Sequence, residues 1–168
     1  DMPHVGPNWY GQRSMISVFN WTNILMGGRF DLVYCNGTSG TPPWTWLSDG
    51  SLDSALAVQP DYLWISHGGN YVTTNPVSDF IDAFSAIFEK ANAAGAMVIT
   101  HTTPPNSAFN TAAIRLNAQE INNWLISVAP KKYGVIVTNI TGATLAAGSL
   151  TFQPAAVITD GGVHNKMA

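Results

Sequence analysis

The stretch that decides the fold is Tyr62-Leu63-Trp64-Ile65-Ser66, followed at once by His67-Gly68-Gly69-Asn70. Four apolar residues in succession, without the alternation of a half-exposed strand, mark a strand covered on both faces. The glycine pair then ends it in a turn. Upstream, Phe30 to Cys35 (FDLVYC) reads as another strand, running into the turn-rich Asn36-Gly37-Thr38-Ser39-Gly40. Downstream, Ala96 to Thr100 (AMVIT) and Tyr133 to Ile140 (YGVIVTNI) repeat the signal.

Helical periodicity fills the intervals. Met15 to Met26 spaces Ile16, Phe19, Asn20 and Asn23 as a helix does, and Gly27-Gly28 stops it. Thr41-Pro42-Pro43-Trp44 reads as a loop, and Leu52 to Val58 as a short helix closed by Pro60. After Pro76, Phe80, Ile81, Phe84, Ile87 and Phe88 form one apolar face, with Ser78 and Asp79 as the residues able to cap it and Gly95 to close it. Thr103-Pro104-Pro105-Asn106 reads as a loop before an amphipathic helix from Thr111 to Val128 carrying Ile114, Ile121, Trp124 and Leu125. The remainder reads as loop, ending in Thr159-Asp160-Gly161-Gly162-Val163-His164-Asn165. Strand and helix thus alternate four times, which predicts an open parallel sheet with helices on both faces. Ligands of such folds bind beyond the carboxyl ends of the strands. The glycine turns after Cys35 and Ser66 fall there, and so should the loop with Asp160 and His164.

Composition narrows the function. The 168 residues suffice for one domain with a core, and neither a repeat nor a linker divides them. Charged residues make up only 10%, against roughly 25% in an ordinary soluble domain. Seven basic and ten acidic residues, with no basic run, exclude a nucleic-acid footprint. No run approaches the ~20 apolar residues of a membrane span. A single cysteine, Cys35, leaves no internal disulfide and no thiolate zinc site. The four histidines have no metal-ligand spacing, so neither a metal nor a cofactor is expected. No phosphate-cradling glycine loop opens a helix, which disfavours a nucleotide binder. Low charge with abundant Asn and Thr suits an extracellular or virion-associated protein.

Three motifs fall at the strand ends in a fixed order: Ser39-Gly40, then Gly68-Gly69-Asn70, then Asp160 followed by His164. In this order the chain resembles the SGNH/GDSL hydrolase superfamily, phage and bacterial members included. Arg29-Phe30-Asp31-Leu32-Val33 and Arg115-x-Asn117 add to the likeness. The resemblance covers most of the chain and implies a three-layer α/β/α fold with a flavodoxin-like parallel sheet. It implies His164 as general base and Asp160 as the carboxylate that orients it. Gly40 (backbone N–H) and Asn70 (side-chain amide) would be oxyanion donors, worth roughly 3–4 kcal/mol each in the transition state. The chemistry is acyl transfer: a serine hydroxyl gives its proton to an imidazole held in one tautomer by a carboxylate.

The chain departs from the family pattern in three ways. No Gly-Asp-Ser occurs, so the nucleophile has no matching serine. Tyr71 follows Asn70 where the family usually has Asp, and Asp160 and His164 stand one residue further apart than Asp-x-x-His. Nothing before Phe30 reads as a buried strand, although the family's central strand carries the serine. The expectation is therefore one domain over 1–168, truncated at both ends, lacking the first strand and last helix, with the nucleophile upstream of residue 1. Ser14, Ser39 and Ser66 are the stand-ins within the chain, and none sits in a Gly-x-Ser-x-Gly elbow. Trp44 and Trp46 fit either stacking on a sugar ring or anchoring a loop. His67 fits either lining the cleft or a hydrogen-bonded structural role, and His101, at a strand end, fits the same two roles.

The reading is an ester hydrolase acting on a small-molecule or polysaccharide ester, most specifically a carbohydrate O-acetyl group, by a serine acyl-enzyme mechanism. Nucleic acid and membrane are not expected partners, and an oligomer within a larger particle is compatible. The alternative is a non-catalytic carbohydrate-binding or structural domain of a virion or surface particle that lost the nucleophile.

Overall fold

The computed structural model describes residues 27–29, 41–66, 72, 75–103, 109, 111–141, 158–159 and 165–166. In chain order these form helices α1 (Pro43–Ser48) and α2 (Ser51–Ala57), strand β1 (Tyr62–Trp64), helix α3 (Val77–Ala93) and strand β2 (Met97–His101). Helices α4 (Ala112–Ser127) and α5 (Ala129–Tyr133) follow, then strands β3 (Ile136–Thr138), β4 (Ile158–Thr159) and β5 (Asn165–Lys166). The strand and helix expected over Phe30–Cys35 and Met15–Met26 lie outside the described residues.

β1, β2 and β3 form a parallel sheet in that order, with Trp64 opposite Ile99 and Ile99 opposite Ile136. Parallel neighbours need a helical crossover, and α3 supplies one while α4 with α5 supplies the other. The architecture is α/β, as the alternation of apolar runs predicts. Leu63, Val98 and Val135 belong to or pack against one core cluster with Phe84, Ile87 and Phe88 of α3 and Ile121 and Leu125 of α4. Phe88 stacks on Phe84 and on Trp124, and meets Tyr133 edge-on at 5.6 Å. One aromatic side chain thereby joins three helices. Successive strand residues face opposite ways. On the other face Tyr62, Met97 and Ile136 are 48%, 44% and 47% exposed, so the described helices cover one face of the sheet.

Four local expectations are corrected. The Pro42-Pro43 segment is not a loop: Pro42 is the extended N-cap and Pro43 the first residue of α1. Proline fits there because its fixed φ suits a first turn whose N–H has no intrahelical partner. Neither Ser78 nor Asp79 caps α3; Pro76 holds the N-cap position without a side-chain bond. Tyr133 ends α5 rather than opening a strand, since Gly134, at φ +69°, turns the chain before β3. The tail is not all loop, because β4 and β5 pair antiparallel.

Candidate functional site

The carboxyl ends of β1 and β2 bring together two residues 35 positions apart. Extending the register of Tyr62 with Met97 and Trp64 with Ile99 sets Ser66 against His101. The backbone bond from Ile65 N–H to the Ile99 carbonyl (2.9 Å) carries the ladder that far. Both residues lie two positions beyond a paired neighbour, so their side chains share a face. Ser66 Oγ stands 3.0 Å from His101 Nε2, and His101 Nδ1 stands 2.8 Å from the Thr102 carbonyl oxygen. A carbonyl only accepts, so Nδ1 carries the ring proton, Nε2 is the acceptor, and Ser66 donates. His101 is 8% exposed, whereas Ser66 is open to solvent. Burial pushes the imidazole pKa below the usual 6.5, and the bond to Thr102 opposes this only in part.

Behind this pair the ends of β2 and β3 are tied together by buried polar groups. Thr102 N–H donates to the Thr138 carbonyl at 3.0 Å. Asn122, on α4, treats Thr103 as a strand neighbour would: its Oδ1 accepts from Thr103 N–H at 2.7 Å and its Nδ2 donates to the Thr103 carbonyl at 3.2 Å. The same Nδ2 reaches Thr141 Oγ1 at 3.1 Å. Thr141 N–H donates to Thr102 Oγ1, and the Thr141 hydroxyl donates to the Thr103 carbonyl at 2.7 Å. Satisfied in this way, groups that would be costly to bury unpaired instead fix where the strands end.

The rim is apolar. α3 begins where the chain leaves the carboxyl end of β1, and Phe80 in its first turn takes Trp44 edge-on at 5.2 Å. Trp44 and Trp46 both pack against the core from α1, an anchoring position for the two tryptophans singled out in the sequence. Arg115 Nη1 donates to the Phe109 carbonyl at 3.0 Å, so the arginine of the Arg115-x-Asn117 motif secures the chain before α4.

Gly40, His67, Asn70, Asp160 and His164 lie outside the described residues; their described neighbours are informative. Ser66 immediately precedes His67. Thr159 and Asn165, on either side of the 160–164 stretch, are partners in the β4–β5 ladder. Among the described residues no group of three or more His, Cys, Asp or Glu side chains could hold a metal ion. No described helix is long and apolar enough to cross a membrane.

Sequence reasoning named Ser66 and His101 separately and missed both their pairing and Asn122. Equal offsets from the two strand starts carried the first signal: Ser66 is four residues after Tyr62, and His101 four after Met97. Asn122 gave none, since a polar residue in an amphipathic helix reads as solvent-facing.

No protein-family model and no curated protein matches the chain. Among solved structures, the fold is similar to that of a candidate lipolytic protein of the G-D-S-L family from Desulfitobacterium hafniense DCB-2. The TM-score is 0.56 at 18% sequence identity. The match covers 70% of this chain and 63% of that one, so the chain spans less than two thirds of its neighbour's length.

Proposed function

We propose that this protein is an ester hydrolase of the SGNH type, working by serine acyl transfer on an O-acetyl ester of a carbohydrate. The observation that carries the reading is that β1 of a G-D-S-L-like parallel sheet runs out at Ser66 into His67-Gly68-Gly69-Asn70. In an open α/β sheet that edge is where ligands are held. In this reading Asn70 and Gly40 donate to the oxyanion, His164 takes and returns the proton, and Asp160 orients His164. The pairing of Thr159 with Asn165 supports the last assignment, because it draws together the residues flanking Asp160 and His164. Opposed residues of an antiparallel ladder have Cα atoms roughly 4.5–5.5 Å apart.

The carbohydrate preference rests on the SGNH/GDSL resemblance, with Trp44 and Trp46, which pack against the core from α1, as the aromatic side chains able to meet a sugar ring. With it go a polysaccharide or small-molecule ester as partner and an extracellular or virion-associated location. Hydrolysis of p-nitrophenyl acetate, with His164→Ala as control, tests the activity. In this reading the nucleophilic serine stands upstream of residue 1, so we expect turnover in the full-length natural protein and a fall of 100-fold or more in its His164→Ala variant, about the worth of a general base. Equal rates in the two proteins would leave the non-catalytic carbohydrate-binding reading in its place. Release of acetate from an acetylated polysaccharide in preference to p-nitrophenyl acetate supports the narrower substrate.

A further inference from the structure

We propose that Ser66 and His101 form a nucleophile–base pair that accepts an acyl group from an ester, a second acylation centre distinct from the one assigned to His164. The proposal rests on the ester-hydrolase reading only for the class of substrate; the pair itself stands on geometry. Activated serines are recognised by three relations: a base within hydrogen-bond reach, a third group that orients the base, and access for the electrophile. All three are met. Ser66 Oγ is 3.0 Å from Nε2, the Thr102 carbonyl at 2.8 Å holds the proton on Nδ1, and Ser66 is exposed at the carboxyl end of β1. The orienting group here is a backbone carbonyl rather than a carboxylate.

The arrangement is also rigid. His101 is fixed by the β2 ladder, and the residue that holds its tautomer, Thr102, is tied to Thr138 and Thr141. Ser66 is held at the β1 edge by the preceding residue, whose N–H bonds Ile99 and whose carbonyl accepts from Thr100 Oγ1 at 3.1 Å. A base that need not be moved or deprotonated before it acts is what general-base catalysis requires.

The step balances without a co-reactant other than water. Ser66 Oγ bonds to the ester carbonyl carbon as its proton passes to His101 Nε2. The carbon–oxygen bond to the alcohol breaks, and the alkoxide leaves with that proton. Water then gives a proton to Nε2 and its oxygen to the acyl carbon. The bond to Oγ breaks, and Oγ recovers the proton. Net, an ester and water give an acid and an alcohol.

The test is to incubate the full chain with p-nitrophenyl acetate, quench early, and locate the acetyl group by peptide mass spectrometry. The proposal expects acetyl on Ser66, none on that peptide in Ser66→Ala, and acetylation slowed about 100-fold or more in His101→Gln, whose amide cannot accept the proton. An unacetylated Ser66 in the unmodified chain overturns it, and so does acetylation at the same rate in a folded His101→Gln. The first result decides even where His101→Gln fails to fold. The two readings fail separately. Ester turnover with Ser66 bare removes the pair and keeps the hydrolase. Acetyl-Ser66 without turnover above the His164→Ala control keeps the pair as an acyl acceptor and removes the hydrolase.

Discussion

His101 is a histidine whose protonation the chain dictates: burial disfavours the cation, and the Thr102 carbonyl keeps the proton on Nδ1, so that Nε2 accepts from Ser66. Its folded-state pKa lies below the 6.5 of the exposed side chain. Between those values the unfolded chain binds more protons than the folded one, so stability rises with pH across that window. The contribution is fully present above pH 6.5 and is lost as pH falls through the lowered folded-state value. We expect the urea midpoint to drop more steeply below pH 6.5 in the unmodified chain than in His101→Gln, which has no imidazole to charge. Parallel pH profiles for the two proteins would show that His101 does not control the slope. At this scale the sequence was half legible. A histidine at a strand end suggested a hydrogen-bonded structural role, and the hydrogen bonds are there. Their partners, Ser66 and Thr102, follow from strand register, which the sequence does not print.

Among the elements, α3 is the most fully written into the sequence, and its C-terminus shows why. Ala96 N–H bonds the Ala91 carbonyl and Gly95 N–H the Asn92 carbonyl, each at 3.0 Å, with Gly95 at φ +82°. That paired closure needs a left-handed residue, which glycine adopts without a Cβ penalty. A Cβ at Gly95 would meet nothing within 4 Å, so Gly95→Ala carries the backbone penalty alone. We expect a loss of about 1–2 kcal/mol in urea unfolding, with no change in ester turnover; a neutral substitution would mean the turn relaxes out of that region. Periodicity located α3 and α4; the cap that Thr111 forms on α4 by accepting from Ile114 N–H is supplied by the structure. The Pro42-Pro43 pair misled, because proline looks the same in a loop and at the first turn of a helix. Tyr133 misled because an aromatic residue before an apolar run extends a strand pattern, whereas here it fills the core beside Phe88 and Trp124.

For the whole molecule, the question is what holds three strand ends at one edge. Asn122 answers a large part of it, reaching from α4 to Thr103 beyond β2 and to Thr141 beyond β3. Asn122→Ala would leave the Thr103 N–H buried without that acceptor and remove two donated bonds. The expected cost is about 3 kcal/mol, since one unsatisfied buried group alone costs about 1–3 kcal/mol. Urea unfolding reads the stability. If the edge carries the activity, p-nitrophenyl acetate turnover falls as well, under conditions where the variant remains folded. A variant as stable as the parent would mean that water replaces the amide. By itself the sequence determined the class of α2, β1, α3, β2, α4 and β3, the α/β alternation they make and the order of motifs along the chain. Those depend on local periodicity, on proline and glycine geometry and on side-chain hydrophobicity. Only the tertiary structure decided that Ser66 meets His101 and that Asn122 clamps two strand ends. Contacts between residues 35 or 19 positions apart depend on strand register and helix packing, which the whole core sets together.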